Sequence, residues 1–346
     1  MSRRSLLSWS FLCMSGTAFG AQTMDECLLH AVQSADGNAT VGELRTLCEQ
    51  QLAQPQSEPV AATTQAAASA AHAEGPVEKR LALERYSHDN PFVLTPHRVN
   101  YLLPAVYSPH RNTAPYRETD PDFHLQHTEV QFQLSLKVLV LENLLGDNGH
   151  LSVAYTNRSF WQAYNKAASS PFRETNHEPE VIFSIENDWT LFGFRNSVNQ
   201  FILNHQSNGR AGELSRSWNR LMLNSVFEKD NFIFSFKPWY RLPEGKKRNP
   251  NSPDGDDNPD IERYMGNFEW QGIYQAAHGQ TLSLLIRNNL RTDDNKGAYE
   301  LGYSFPIGHS RLKGYLKYFN GFGESLIDYN YRIQSLGVGI LFSDWL

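Results

Sequence analysis

The sequence predicts an all-β protein, a 12-stranded antiparallel β-barrel that spans a membrane, preceded by a small disulfide-linked helical segment. Three observations favour the barrel. From about residue 90 the chain divides into segments of roughly 10 residues bounded by Gly, Asn, Asp or Pro. Apolar and polar residues alternate over 130–140. The last segment is apolar and aromatic and runs to Leu346, which is typical of outer-membrane barrels.

Composition narrows the class of protein. The 346 residues carry 31 Lys and Arg against 37 Asp and Glu, a net charge of −6, which argues against a general nucleic-acid binder. Mean hydropathy is −0.50, and no segment of the mature chain approaches the ~20 apolar residues of a membrane-spanning helix. A membrane barrel fits these values because its lumen is polar. The 20 Phe, 15 Tyr and 7 Trp suit aromatic girdles, in which we expect Trp161, Trp218 and Trp239 as interfacial anchors. A soluble β-sandwich is the alternative.

The first 20 residues have the three parts of a secretory signal peptide. Arg3 and Arg4 precede an apolar stretch from Leu6 to about Met14, and Ala18-Phe19-Gly20 fits a small-x-small cleavage site. The mature chain is therefore expected to leave the cytoplasm.

A small module and a tether come after the signal. Cys27 and Cys48 remain after cleavage, and in an oxidising compartment they are expected to form a disulfide. Apolar residues between them fall at helical spacing, so 21–50 is interpreted as a stapled helical hairpin. Residues 51–89 begin with an Ala-, Gln-, Pro-, Ser- and Thr-rich stretch and are interpreted as a flexible linker. The barrel domain is then 90–346.

Twelve segments are predicted as strands, an even number that suits a bacterial outer-membrane barrel. They are 97–107, 124–140, 149–162, 178–187, 194–206, 215–229, 231–242, 260–276, 279–292, 296–307, 310–321 and 331–346.

One stretch carries residue types suited to ester chemistry. His205 and Ser207 are two apart near a strand end, so their side chains point to the same face. An imidazole beside a hydroxyl can take its proton as the oxygen attacks an acyl carbon. After a turn containing Gly209 and Gly212, Asn219 can return to the level of His205 and orient its ring.

The same parity places these polar groups on an apolar face. Phe201 and Leu203 share the face of His205, and Leu221 shares that of Asn219. On a barrel this face meets lipid, where polar groups are costly and tend to be functional.

At this point the sequence resembles the outer-membrane phospholipase A family, also called detergent-resistant phospholipase A, over about residues 90–346. Several blocks in order carry the resemblance: 169–176 (SSPFRETN), 205–210 (HQSNGR), 215–220 (SRSWNR), 237–240 (KPWY), 256–261 (DDNPDI) and 323–330 (GESLIDYN).

The resemblance implies a serine ester hydrolase of the bacterial outer membrane, acting on phospholipids as phospholipase A1, phospholipase A2 and lysophospholipase. It implies Ser207 as nucleophile, His205 as base and Asn219 as orienting group. It also implies a catalytic Ca²⁺, an active site toward the outer leaflet, and activation as a homodimer with acyl chains in grooves between the barrels. The ion is expected at the Arg210 carbonyl and the Ser215 hydroxyl, with a Ser169 carbonyl from the second chain.

The sequence departs from the family pattern in places. Gly212 stands where Asp is usual, which weakens the case for a second, carboxylate-rich Ca²⁺ site. Glu213, Asp256 and Asp257 are candidate substitutes for that Asp. Asn157 replaces a Gln of the family's dimer interface, and the loop at 244–249 is expanded. A non-catalytic barrel, as a pore or an adhesin presenting the Cys27–Cys48 module, is the alternative function.

Overall fold

The computed structural model describes residues 75–88, 95–117, 121–249 and 254–345, together with Gly42, Arg45, Cys48 and Ser252. The signal peptide predicted at 1–20, Cys27, and most of the helical module and linker lie outside the described residues. Cys48 is buried and disulfide-bonded. Contacts divide the chain into two compact units, Met1–Ala70 and Ala71–Leu346, and the barrel belongs to the second unit.

Twelve strands of eight residues or more form a closed antiparallel barrel, as predicted. Each strand pairs with its neighbour in the chain, and β12 pairs with β1 to close the ring. The strands are β1 Asn100–Tyr107, β2 Thr128–Leu141, β3 His150–Trp161, β4 Phe172–Glu186, β5 Phe194–Ser207, β6 Ser217–Lys229, β7 Phe232–Arg241, β8 Phe268–Gln275, β9 Thr281–Asn288, β10 Gly297–Pro306, β11 Lys313–Phe322 and β12 Arg332–Ser343.

Short elements accompany the barrel. Two-residue strands at Thr95–Pro96 and Thr190–Leu191 pair with β2 and β5. The remaining elements are helices α1 Pro76–His88, α2 Ala114–Arg117 and α3 Ile261–Met265, with 3-10 turns at Lys166–Ala168, Gly212–Leu214 and Ala277–Gly279. Among the described residues no helix has both the length and the apolar character needed to cross a membrane.

Strand β2 shows why the chain folds with one apolar and one polar face. Leu134 and Val138 on its outer face are exposed, whereas Gln131, Gln133 and Ser135 point inward and are buried. Successive side chains of a strand point to opposite sides, so the lipid-facing surface is apolar and the lumen is polar.

Two predicted strand boundaries were wrong by more than four residues. β4 begins at Phe172 instead of residue 178, because its charged first residues are buried among polar partners in the lumen. The segment predicted as 260–276 begins with helix α3, and β8 starts only at Phe268. Gly266, which comes directly after α3, has a φ of 74° and can reverse the chain where a side chain would be strained.

Helix α1 is a correction to the predicted linker, whose last part is helical. Pro76 opens the helix, a position at which its missing N–H costs nothing. Apolar packing of Val77 against Ile233 and Ile273 holds the helix to the barrel. Charged contacts add to it: Glu84 accepts from Lys137 Nζ at 2.6 Å, and Glu78 pairs with Arg195 at 3.0 Å. Because Glu228 near the end of β6 accepts the N–H of Val77, α1 lies at the barrel end opposite the start of β6.

Charged side chains fill the lumen. Arg173 Nε and Nη2 donate to the two carboxylate oxygens of Glu129 at 2.7 and 2.9 Å, and Nη1 donates to Asp328 at 2.9 Å. Arg111 approaches Glu129 at 2.6 Å. A small cavity of about 80 Å³ lies farther along the lumen, lined by charged groups including Arg98 and Glu269. Buried charges such as those of Arg173, Glu129 and Asp328 are tolerated because they are paired and hydrogen-bonded.

Candidate active site

His205 and Asn219 lie directly opposite each other on β5 and β6. The Nδ1 atom of His205 and the Oδ1 atom of Asn219 are 2.8 Å apart, a hydrogen bond between two half-buried side chains. The carbonyl oxygen of an amide only accepts, so the proton of this bond belongs to Nδ1 of the imidazole. In the neutral ring the other nitrogen, Nε2, then carries the free lone pair and can act as a base.

Ser207 is the last residue of β5 and shares the face of His205. Its paired residues are Ser217 on β6 and His177 on β4. The chain turns immediately after it, and Gly209 adopts a φ of 62° there. The buried Asn208 fixes this turn, since its Nδ2 donates to the Leu214 carbonyl and its Oδ1 accepts from the Arg216 N–H.

The outer surface around these residues is apolar. The side chains of Phe201, Leu203, Leu221 and Leu223 are 55%, 50%, 48% and 39% exposed. The His–Ser–Asn group therefore opens toward the lipid side of the wall and away from the polar lumen.

The lumenal side of the same strands is tightly packed, and it corrects one expectation. Trp218 and Trp239 are not interfacial anchors but buried residues that face inward. Arg220 lies against both rings, at 3.9 and 5.2 Å from their centroids. The sequence did contain a sign of this inward orientation. Trp218 and Arg220 alternate with the outward-facing Asn219, so strand parity places them on the lumenal face.

Glu244 is a further residue of the site that the sequence did not single out. Its Oε1 accepts a hydrogen bond from Asn219 Nδ2 at 2.9 Å. The sequence marked 244–249 only as an expanded loop. Which of its residues meets Asn219 depends on the path of the loop after β7, and no periodic pattern encodes that path.

The residues considered for Ca²⁺ lie in two loops. Arg210 and Ser215 belong to the loop between β5 and β6, and Ser169 ends the 3-10 turn between β3 and β4 with a φ of 58°. Asp257 adds a carboxylate: its Oδ2 accepts from the Ser215 hydroxyl at 2.8 Å. Among the described residues no group of three or more His, Cys, Asp or Glu is arranged so that it could hold a metal ion.

The same Asp257 is held from two further directions. The Ser217 hydroxyl donates to its Oδ2 at 3.0 Å, and the ammonium of Lys247 forms an ion pair with its Oδ1. Lys247 belongs to the expanded loop, so this loop approaches both Asn219 and the Ser215 hydroxyl.

Comparison with known sequences gives one family. A family model described as Phospholipase A1 matches residues 77–342. A Klebsiella pneumoniae protein named phospholipase A1 is 38% identical over 257 residues, which is 74% of this chain and 85% of the relative. The phospholipase A1 of Escherichia coli K12 is also 38% identical, over 74% of this chain and 84% of the relative.

Comparison with solved structures points to the same family. The outer membrane phospholipase A of Escherichia coli superimposes with a TM-score of 0.67 at 35% identity, covering 74% of this chain and all of that one. The Salmonella typhi outer membrane phospholipase, solved as a dimer with bound calcium, also gives a TM-score of 0.67 at 35% identity and covers 74% of this chain and 94% of that one.

Proposed function

The chain belongs to the phospholipase A1 family of bacterial outer-membrane barrels, and on this premise we propose that Ser207, His205 and Asn219 form its catalytic triad. The observation that carries the proposal is the 2.8 Å hydrogen bond between His205 Nδ1 and Asn219 Oδ1 on the lipid-facing wall. The substrates proposed are glycerophospholipids at either acyl position (A1 and A2 activity) and lysophospholipids.

The reaction proposed is acyl transfer through the enzyme. Nε2 of His205 takes the proton of Ser207 as the Ser207 oxygen attacks the ester carbonyl. The bond to the lyso-lipid oxygen then breaks, and the imidazolium returns the proton to that oxygen. Water, deprotonated by His205, next attacks the acyl carbon of the acyl-Ser207 ester. The bond to the Ser207 oxygen breaks, the imidazolium returns its proton to that oxygen, and the fatty acid leaves. Asn219 holds the ring with Nδ1 protonated throughout.

The oxygen donors at the end of β5 fit a calcium ion. Ca²⁺ prefers carbonyl, hydroxyl and carboxylate oxygens, and the Arg210 carbonyl and Ser215 hydroxyl are of these kinds. The contact between Ser215 and Asp257 adds negative charge beside them. The Ser169 carbonyl of the partner subunit would complete the set in a dimer. When bound, Ca²⁺ would stabilise the oxyanion of the tetrahedral intermediate.

Dimerisation and orientation belong to the same proposal. The Salmonella typhi relative was solved as a dimer with bound calcium, and the apolar wall around Phe201 and Leu203 offers a surface for acyl chains or a second barrel. We place the active site toward the outer leaflet and expect activity only in the dimer, because Ser169 and Ser215 would then come from two chains.

Fatty-acid release from mixed phospholipid–detergent micelles, with Ca²⁺ and with chelator, tests the mechanism. Wild-type protein should release fatty acid only with Ca²⁺, and Ser207→Ala should lose at least about a thousandfold in rate. Equal rates for the two proteins would exclude Ser207 as the nucleophile. For the dimer, crosslinking should rise with Ca²⁺ and a substrate analogue, and no rise would exclude activation by association.

A further inference from the structure

The side chain of Asn219 uses both ends of its amide. Its oxygen lies 2.8 Å from His205 Nδ1, and its nitrogen lies 2.9 Å from Glu244 Oε1. The two ends of an amide are told apart by their hydrogen-bond partners, and an ionised carboxylate can only accept. Glu244 therefore faces the NH₂ end, so the amide oxygen must face the imidazole.

The start of the expanded loop is built to present Glu244. The Leu242 N–H donates to the carbonyl of Asn219 itself at 2.8 Å. On the far side of Glu244, the Gly245 carbonyl accepts from the Asp256 N–H at 2.7 Å. Glu244 thus lies between Leu242 and Gly245, whose backbones are both fixed by hydrogen bonds. Leu242 is hydrogen-bonded to Asn219, the same residue that the Glu244 carboxylate contacts.

The charge of Glu244 supplies what the neutral Asn219 lacks. A carboxylate as third member of a triad stabilises the imidazolium that forms during the reaction. An amide offers only its dipole. A negative charge at the NH₂ end polarises that dipole, making the oxygen a stronger acceptor, and the effect grows where apolar walls lower the local dielectric.

We propose that Glu244 is a positioning residue of the reaction, which locks the Asn219 amide so that its oxygen holds His205 in the reactive tautomer. This inference rests on the proposed triad and extends it to a line of four groups, Ser207, His205, Asn219 and Glu244. Glu244 acts through Asn219 and touches neither substrate nor His205 in this role.

A double-mutant cycle in micelle assays with saturating Ca²⁺ tests the proposal. In the wild-type background Glu244→Gln should lower kcat about tenfold, or about 1.4 kcal/mol, with KM within about twofold. In the Asn219→Ala background the same change should alter kcat by less than about twofold, because the residue through which Glu244 acts is gone.

Controls separate this role from folding of the loop. Asp254→Asn removes an exposed carboxylate from the same loop and should leave kcat within about twofold. An equal loss for Glu244→Gln in both backgrounds would overturn the proposal, as would no loss in either. Full activity of Ser207→Ala would instead overturn the triad itself, so the two failures are distinguishable.

Discussion

The guanidinium carbon of Arg220 lies 3.9 Å from the centroid of the Trp218 ring, on the lumenal side of the strand whose outer side carries Asn219. The same guanidinium donates to Asn204 at 2.8 Å and to Glu178 at 3.1 Å. A buried planar cation thus ties β6 to β5 and β4 directly behind the candidate triad. The strands that carry the candidate triad are held by this inner layer, because their outer side faces lipid.

Arg220→Lys should therefore destabilise the barrel and misplace the triad. Lysine keeps the charge but loses the planar stacking and the fork of donors, so the free energy of unfolding should fall by about 2 kcal/mol. Denaturant titration in lipid vesicles measures it. Arg291→Lys changes an exposed loop residue and should shift stability by less than about 0.5 kcal/mol. Equal values for the two variants would contradict the supporting role of Arg220.

Asn219→Asp should be harmful in this chain although it creates a Ser–His–Asp set. One new oxygen can still accept from His205, but the other would face the Glu244 carboxylate across the present 2.9 Å contact. Two carboxylates at this distance disfavour each other's ionised form. We expect kcat to fall about tenfold. Adding Glu244→Gln should restore activity, because its amide can donate to the new carboxylate. A double variant no better than the single one would count against the contact.

Lys247→Met should lower the Ca²⁺ concentration that the protein needs for activity. The Lys247 ammonium neutralises Asp257, which also accepts from the Ser215 hydroxyl. Its removal leaves a negative charge beside the proposed ion, and an accessible ion pair is worth up to about 1 kcal/mol. The Ca²⁺ concentration for half-maximal activity should fall by up to about fivefold. Lys246→Met, on the exposed neighbouring residue, is the control. An unchanged or raised requirement would show that Asp257 does not act on the ion.

Acid should release helix α1 through Glu84. Burial by itself raises the pKa of this carboxyl, but Lys137 and Arg80 outweigh burial and hold the pKa below its ordinary value of 4.5. Such a group contributes stability that is complete above pH 4.5 and is lost as the pH falls through the lowered pKa. The protection of the α1 amides against hydrogen exchange, measured relative to the intrinsic exchange rate at each pH, should therefore fall below pH 4.5 in the wild type. Glu84→Gln should lack this acid-dependent step, and the same step in both proteins would assign it to another group.

Much of the barrel could be predicted because its signal is local. In β2 the alternation of Gln131, Gln133 and Ser135 with Leu134 and Val138 is both the sequence pattern and the observed division into lumen and outer face. In β12 the exposed Val338 and Phe342 obey the same rule. The period of two is set by backbone geometry and needs no knowledge of the partner strand.

The relative positions of the candidate site residues could also be predicted from local sequence. The i, i+2 spacing of His205 and Ser207 fixes a shared face, and one turn returns Asn219 to the level of His205. Their catalytic roles remain predictions.

Other features depend on contacts between distant parts of the chain. Helix α1 has only a short apolar face, formed by Val77 and Leu81, and is also held by Lys137, 53 residues beyond Glu84. Glu244 meets Asn219 only because Leu242 is tied to the Asn219 carbonyl. Neither contact leaves a periodic trace in the sequence.

The salt bridges in the lumen should also obstruct the passage of ions along the barrel. Ions crossing beside Arg173, Glu129 and Asp328 would have to displace paired charges. Porins conduct through a water-filled lumen, whereas this barrel should not raise the conductance of a planar bilayer. A phospholipase of this design can therefore reside in the outer membrane without letting ions leak across it.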